Sequence, residues 1–507
     1  MTWLGGLALV ATGIFWLSCV LAPIVAVLSH AGGLQGILDP ILLSITSMTF
    51  KQALLSTAIS GGVGLFLGVW VGRKQGRVAQ VLLSLPYGVP SVVVGLAWVA
   101  WLGRSGILAG WGLRLDWSYS LKAVILAHSF LNIPYVALLV AQSMATLPER
   151  RLEAARTLGA GRRARLWLVV WPHVRWAFFS ACAQVMALCA MSFALVLVLG
   201  GGPPVETLET ALFARIRYGS VDLTGAAGCA FWEMAITLLP WLCVMALRSF
   251  KPEEDSAELN GARPRARSIS GASLVVCGAL MVPYLAVFRP ELFKLCLNRG
   301  FLAALAHPFR ISLALASATS VGALVLASFS LIALDSLKAF PKLRATLGTL
   351  LAVPSGVSVL VLGLGIWLAY GRWIDPFAGS FGAMLAVQVT LFFPLAYRML
   401  WPAAQQIQRR CLEAAATLGA SPWSAFWQVE WPRLKGPAFS VLGLVAGAAL
   451  GEVAAVSLFY SENLIPMPLL ITRWMGQYRF DEAQALAALL LVLSTGTIAM
   501  VSLARRE

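Results

Sequence analysis

The sequence predicts an all-α integral membrane protein with about twelve transmembrane helices in two parallel-repeated six-helix halves. Hydrophobic residues fill 59% of its 507 positions and charged residues only 12%, whereas soluble domains carry about 25% charged residues. Apolar runs long enough to cross a bilayer recur from one end of the chain to the other. A segment of the first half also returns almost unchanged in the second half.

The apolar runs place twelve predicted spans along the chain. Glycine or proline interrupts several of them, which helices in bilayers tolerate when neighbouring groups satisfy the freed backbone. The first run lacks a charged leader and many spans follow it, so we interpret it as a helix rather than a signal peptide. The spans cover residues 3–29, 49–72, 79–103, 121–147, 173–199 and 225–248, then 270–289, 309–334, 346–370, 379–400, 434–460 and 484–504.

The formal net charge of +16 comes from basic residues in the short loops between spans. This distribution follows the positive-inside rule and favours a lipid bilayer, not nucleic acid, as the partner of these charges. Seven arginines around the loop between the fourth and fifth spans predict that this loop is cytoplasmic, and the even number of spans then places both termini in the cytoplasm. These residues are Arg150, Arg151, Arg156, Arg162, Arg163, Arg165 and Arg175.

One polar stretch divides the chain. Residues 251–268 mix charges of both signs with proline and glycine, and we interpret them as a cytoplasmic linker. Residues 1–250 then form the first transmembrane half and residues 269–507 the second. The eight cysteines and four histidines are scattered without a Cys-x-x-Cys pair, so the sequence predicts no metal site.

The strongest signal is an internal repeat at an offset of 260 residues. Leu152–Ala160 reads Leu-Glu-Ala-Ala-Arg-Thr-Leu-Gly-Ala, and Leu412–Ala420 differs from it only by an alanine in place of the arginine. The Trp-Pro pair at 171–172 recurs at 431–432. Because six spans, an even number, separate the two copies, the halves have the same orientation.

The repeated segment has the features of a short helix on the membrane face. Residues 149–158 and 409–418 are good helix formers, and the glycine after each suits the left-handed residue that ends a helix. Pro172 and Pro432 suit the first turn of the next span. Paired alanines leave the helix thin enough to enter a groove on a partner, while the glutamate faces that partner or caps backbone amides. These residues are Glu153, Ala154, Ala155 and Gly159 in one copy and Glu413, Ala414, Ala415 and Gly419 in the other.

The spacing of Glu-Ala-Ala, Gly and Pro in 153–172 and again in 413–432 resembles the coupling loop of binding-protein-dependent ABC importer permeases. The resemblance implies a type I, MetI-like fold in a bacterial inner membrane, with one coupling helix docked on each of two copies of an ABC ATPase. It also implies a periplasmic solute-binding protein as a partner. The chain has no G-x-x-x-x-G-K-[ST] phosphate loop. We therefore expect a transporter subunit rather than an enzyme, with no cofactor of its own, since the partner ATPase binds ATP and Mg.

Two acidic residues, Glu233 and Glu452, lie well inside predicted spans. A charge at mid-membrane costs about 2.5–3.5 kcal/mol, so such a residue generally lines a cavity or has a partner. Glu452 stands at the position of Ser192 in the first half, and the resemblance implies that this helix of each half lines the substrate pathway. We expect Glu452 to attract a cationic substrate, with a buried helix–helix hydrogen bond as the alternative. For Glu233 we favour a structural role.

Other polar and aromatic residues are candidates for the pathway. Asn132, His128 and Tyr87 add polarity to the third and fourth spans, although each also suits a bridge between helices. Phe193 and Tyr460 offer ring faces for a cation–π contact with a substrate.

Single-chain permeases with two coupling motifs are typical of the thiamine and ferric-iron branches of this family. The segments 125–134 and 199–204 resemble those of thiamine permeases, although Glu stands at the acidic position where relatives commonly have Asp. We expect a small solute, thiamine or its phosphates, with ferric iron, a polyamine or an oxyanion as alternatives. Alternating access then carries the solute inward after a binding protein delivers it to outer loops around 201–224 and 461–483.

Overall fold

The computed structural model describes residues 3–504 except 75–81, 84, 105, 114–116, 118, 201, 203–204, 219, 250–274, 277, 289–293, 296, 352, 406–410, 412–413 and 416. Across these described residues the regular structure is helical, and the only strand-like pairings are two isolated bridges. The bridges join Gly202 to Val205 and Ser461 to Leu464, at equivalent places in the two halves. The predicted linker, 251–268, lies outside the described residues.

The helices lie at the predicted spans, but Pro40–Lys74 and Arg299–Ser336 begin well before the predicted 49–72 and 309–334, and Ser91–Leu102 covers only the second half of the predicted 79–103. In chain order the helices are Trp3–Trp16, Leu17–Leu21, Ala22–His30, Gly33–Ile37, Pro40–Lys74, Leu85–Gly88, Ser91–Leu102, Ile107–Gly110, Leu121–Ala145, Glu149–Thr157, Arg162–Arg165, Leu166–Val170, Trp171–Ala190, Phe193–Gly200, Leu208–Arg217, Leu223–Ser249, Val282–Leu285, Arg299–Ser336, Pro341–Leu350, Val353–Gly356, Val359–Tyr370, Phe381–Gln405, Pro422–Ala425, Phe426–Glu430, Trp431–Leu450, Ala454–Ser457, Met467–Gly476 and Phe480–Ala504.

The all-α membrane class is confirmed. Within the described part of the chain, nine helices are long and apolar enough to cross a membrane, and the count reaches eleven if two bent helix pairs form one span each. These eleven correspond to all the predicted spans except the seventh. The seventh, 270–289, falls partly outside the described residues, and its described part contains the short helix Val282–Leu285.

Glycines let the second and fourth spans approach closely. Gly64, Gly68 and Gly72 recur every four residues along the second span and face side chains of the fourth. A Cβ atom on Gly68 would lie only 2.6 Å from Cβ of Val140. Small residues at this spacing are a common means of packing helices in membranes, where apolar burial supplies little driving force.

The halves exchange their first helices. The indole Nε1 of Trp16, in the first span, donates to the carbonyl of Leu350 in the second half at 3.1 Å. Reciprocally, Trp101 Nε1 in the first half donates to the carbonyl of Pro283 at 3.1 Å. Each half of the sequence therefore packs its leading segment on the other half, and the two are interlocked.

The fifth and eleventh spans are broken, although the sequence predicts continuous helices over 173–199 and 434–460. In the first half the chain bends by 56° between the helices Trp171–Ala190 and Phe193–Gly200. In the second half, helix Trp431–Leu450 ends and is followed by the single turn Ala454–Ser457. A break inside a bundle frees backbone groups for other partners, and buried protein surroundings make it tolerable.

The segments predicted as outer loops fold back into the bundle. Leu208–Arg217 and Met467–Gly476 are largely buried helices of equal length at equivalent positions. Their first amides donate to hydroxyls on the second and eighth spans, at Thr49 and Ser312. The expectation that 201–224 and 461–483 are outer loops is therefore corrected over Leu208–Arg217 and Met467–Gly476, which are helical. We call these two elements the re-entrant helices.

Candidate functional site

The first coupling motif forms the predicted short helix, Glu149–Thr157, and a left-handed turn ends it. Gly159 has φ of 76°, its amide donates to the carbonyl of Arg156 at 3.0 Å, and the next amide, of Ala160, donates to Ala155 at 2.9 Å. A Cβ on Gly159 would meet nothing within 4 Å. Glycine is therefore required by the backbone conformation and not by space.

The second coupling motif repeats this turn. Gly419 has φ of 79°, and the amide of Ala420 donates to the carbonyl of Ala415 at 3.0 Å. Ala414 and Ala415 are helical, whereas Glu413 lies outside the described residues. The same sequence thus gives the same helix end in both halves.

Both coupling segments present apolar side chains to solvent. Leu158 is 86% exposed and its counterpart Leu418 is 88% exposed. Glu153 and Ala154 beside the first of them are exposed as well, which favours a partner-facing role for the glutamate over a capping role. The two halves therefore expose equivalent leucines directly after their coupling helices. Sequence reasoning passed over these leucines, although both lie within the repeated motif.

Pro172 and Pro432 stand in the first turn of the α-helices Trp171–Ala190 and Trp431–Leu450, as the sequence predicts, although other helical turns lead directly into both. The fifth span begins at Arg162 and runs on through the proline to Ala190. In each half a π-helical segment, Leu166–Val170 or its equivalent Phe426–Glu430, directly precedes the Trp-Pro pair. Proline cannot donate an amide hydrogen and its ring clashes with the carbonyl four residues earlier. The wider π turn therefore accommodates it.

Glu452 lies at the helix break of the second half rather than within a continuous span. Its Oε1 accepts a hydrogen bond from the amide of Ala454 at 2.9 Å, so it caps the following turn instead of bridging helices. The side chain is half-buried between the buried Gly451 and Val453. Ser192, its counterpart, is half-buried at the break of the first half. The two halves therefore place one acid and one hydroxyl at matching positions.

Asn132 is a buried link between helices. Its Nδ2 donates to the carbonyl of His128 at 2.9 Å and lies 3.5 Å from Sγ of Cys189 in the fifth span. His128 Nδ1 in turn contacts Nε2 of Gln52 in the second span at 2.5 Å. In the second half Gln388 replaces His128 and donates to a carbonyl of the eleventh span at 3.4 Å. These contacts favour the bridging alternative for Asn132.

The aromatic candidates are engaged by the protein itself. Phe193 is 2% exposed and packs edge-on against Phe213 of the first re-entrant helix, with centroids 4.9 Å apart. The guanidinium carbon of Arg217 lies 3.9 Å from the centroid of the Tyr460 ring. The side chain of Tyr87 lies outside the described residues.

The structure adds an acidic cluster that sequence reasoning missed. Glu209, on the first re-entrant helix, and Glu233, on the sixth span, are almost completely buried. Their carboxyl groups interact electrostatically, and Glu209 Oε2 and both carboxyl oxygens of Glu233 have no hydrogen-bond partner among the described residues. Ser358 Oγ, from the second half, donates to Glu209 Oε1.

The cluster stands close to the candidate pathway residue of the other half. Burial raises the pKa of Glu209, the hydrogen bond from Ser358 offsets part of this rise, and repulsion from the Glu452 carboxyl adds a smaller rise. Thr237 Oγ1 of the sixth span donates to the carbonyl of Gly356 in the second half at 3.0 Å. This contact also crosses the boundary between the two halves. Acidic groups from three elements thus converge where the two halves meet.

Comparison with known proteins agrees with this geometry. The family model described as binding-protein-dependent transport system inner membrane component matches the chain twice, over residues 60–248 and 321–505. A thiamine transport system permease protein of Escherichia coli (strain K12) is 28% identical over 480 residues, which cover 90% of this chain and 88% of that protein. Its counterpart in Brucella abortus (strain 2308) is 26% identical over 476 residues, 90% of this chain and 84% of that protein.

A shorter relative matches one half's length only. A sulfate transport system permease protein of Synechocystis is 29% identical over 234 residues, which cover 44% of this chain and 85% of that protein. The two family matches, the repeated coupling turns and the helical bundle agree with one another. The chain belongs to the family of binding-protein-dependent transport system inner membrane components and is a two-half ABC importer permease.

Proposed function

We propose that the chain forms the complete two-half membrane pathway of an importer for thiamine or its phosphates. One ATPase subunit docks at each coupling helix, and a periplasmic binding protein delivers the solute. The observation that carries the proposal is the similarity to thiamine permeases over 90% of the chain, across both halves. The sulfate permease supports the family alone, since its similarity covers 44% of the chain.

The charges at the boundary between the halves support a cationic cargo. Glu209, Glu233 and Glu452 approach that boundary from separate elements. Acidic groups in a poorly hydrated pathway attract a cation and repel a dianion such as sulfate. Thiamine carries a positive thiazolium ring and therefore suits this environment. Ferric iron is also attracted by acids, so the cargo must be identified directly.

The coupling geometry supports alternating access. With both termini in the cytoplasm, the coupling helices lie on the cytoplasmic face and the re-entrant helices toward the opposite face. Closure of the two ATPase subunits on ATP draws the coupling helices together and separates the outer ends of the halves. Hydrolysis returns the chain to the state in which contacts such as Arg217 with Tyr460 join the outer ends.

The experiment that tests the cargo is purification of the permease with its cognate binding protein, followed by mass spectrometry of the ligand that the binding protein carries. The proposal predicts thiamine or a thiamine phosphate. Iron or sulfate without any thiamine compound would overturn the cargo assignment.

A separate experiment tests the coupling helices. Replacing Glu153 and Glu413 must weaken association with the ATPase and reduce uptake, whereas unchanged association and uptake would overturn the coupling proposal.

A further inference from the structure

The guanidinium of Arg217 lies on two aromatic rings at the outer end of the proposed pathway. The Arg217 guanidinium carbon is 3.9 Å from the centroid of Tyr460 and 5.4 Å from that of Phe377. Its Nη2 also donates to the backbone carbonyl of Tyr460 at 2.9 Å. Trp367 stands perpendicular to Phe377 with centroids 5.9 Å apart, which fixes the orientation of that ring.

This contact joins the two halves at the end opposite the coupling helices. Arg217 ends the first re-entrant helix, before the sixth span, whereas Tyr460 and Phe377 belong to loops of the second half. Phe377 is 46% exposed and Tyr460 is half-buried, so the rings are near the surface of the mouth. When the outer ends of the halves separate, Arg217 must leave with the first half and uncover both rings.

We propose that the faces of Tyr460 and Phe377 form a binding site for a planar organic cation, which Arg217 fills while the outer end is closed. A guanidinium is a flat, delocalised cation that stacks on aromatic faces. Ring faces spaced to hold it therefore suit another flat cation, such as a thiazolium ring. Applied to thiamine, the site rests on the proposed function above and deepens it.

Replacement of the bound cargo by Arg217 favours movement of the cargo inward. The cation binds the rings in the open state, and the returning Arg217 occupies the same faces with the same sign of charge. Two cations cannot share one ring face, so the cargo is displaced toward the acids at the boundary, Glu209 and Glu452. Arg217 therefore acts as a tethered competitor that prevents cargo from returning outward.

The test measures cation binding by the complete complex with its ATPase subunits, trapped with vanadate in the outward-open state and without binding protein. The probes are thiamine, its neutral thiophene analogue, and N-methylpyridinium, a flat cation unrelated to the proposed cargo. Tyr460→Phe keeps the ring and must bind like the wild type. Tyr460→Leu must weaken binding of both cations by about tenfold and leave the neutral analogue unaffected. Equal losses for all three probes, or no loss for the cations, would overturn the site.

A second measurement uses Arg217 and does not depend on the cargo. A disulfide between Arg217→Cys and Tyr460→Cys must form in the resting complex and must no longer form after vanadate trapping. Formation in both states would contradict the exchange. If binding of N-methylpyridinium depends on Tyr460 but thiamine does not bind, the cation site stands and the thiamine proposal fails. If Tyr460→Leu imports thiamine with an unchanged KM, the thiamine proposal stands and the cation site fails.

Discussion

Ser358 of the second half donates a hydrogen bond to Glu209 of the first half, and both side chains are buried. Glu233, on the sixth span, is also completely buried and interacts electrostatically with Glu209. This arrangement places a carboxyl pair at the boundary that must open and close during transport. The pair is therefore suited both to hold the halves together and to present acidic groups when they part.

Replacing Glu209 tests its structural contribution. Glu209→Ala leaves the buried Ser358 hydroxyl without its acceptor, so we expect a loss of about 1–3 kcal/mol in stability. Glu209→Gln keeps an acceptor oxygen and must remain close to the wild type. Thermal unfolding of the purified protein in detergent measures both variants, and equal melting temperatures for the alanine variant and the wild type would contradict the account.

The same residue predicts a pH dependence. Burial raises the pKa of Glu209 above its ordinary value of 4.5, so above that pH the folded chain keeps a proton that the unfolded chain releases. Stability must therefore fall as the pH rises from about 4.5 toward neutrality. The fall must be smaller in Glu209→Gln, which cannot titrate there. Melting temperatures across this range give the comparison, and identical slopes for the two proteins would rule out a raised pKa for Glu209.

The glycine contact between the second and fourth spans predicts a sharp difference between neighbouring positions. Gly68→Ala places a methyl group 2.6 Å from Cβ of Val140 and must cost about 1–3 kcal/mol through overpacking. Gly62→Ala is the matched control, because a Cβ there meets nothing within 4 Å. Folded yield and melting temperature in detergent check the pair. Equal behaviour of the two variants would show that the close approach is not real.

The exposed side chains of Leu158 and Leu418 in the coupling segments predict that these residues contact the ATPase. Leu158→Asp with Leu418→Asp must abolish co-purification of the ATPase while leaving the melting temperature of the permease unchanged, since neither side chain packs in the fold. Leu113→Asp serves as the control, because Leu113 is also exposed, at 56%, but lies at the opposite end of the bundle. Retention of the ATPase by the double variant would remove the docking role of these leucines.

Glu452 predicts a charge effect on transport. Glu452→Gln keeps an oxygen for the Ala454 amide but removes the charge, so we expect kcat/KM for a cationic cargo to fall about tenfold with little change in stability. Glu452→Asp must retain most activity. Ser192→Ala, at the equivalent position of the first half, is the matched control and must have the smaller effect. Uptake kinetics of the three variants measure this effect. Full activity of Glu452→Gln would show that the cation does not pass close to Glu452.

Local chemistry explains what the sequence alone could predict. Hydropathy and length place the spans, because each depends only on neighbouring residues. The coupling turns are equally local, since a left-handed residue demands glycine at Gly159 and Gly419 wherever the helix packs. The parallel relation of the halves needs only the repeat and an even number of intervening spans.

The remaining features depend on tertiary contacts. Glu209 follows a Gly-Pro segment that reads as a loop, and only the folded re-entrant helix shows it to be buried. The exchange of leading helices, seen at Trp16 and Leu350, joins residues whose positions in the sequence carry no sign of the pairing. The break before Glu452 is likewise invisible to hydropathy, because apolar residues continue on both sides of it.

The most direct test of the central claim is uptake by proteoliposomes that contain this chain, its ATPase and its binding protein, with thiamine, ferric iron and sulfate supplied as separate labelled solutes. The account predicts ATP-dependent accumulation of thiamine, competed by unlabelled thiamine but not by sulfate, and lost when Glu153 and Glu413 are replaced by alanine. Accumulation of iron or sulfate without thiamine, or uptake of thiamine without ATP, would contradict it.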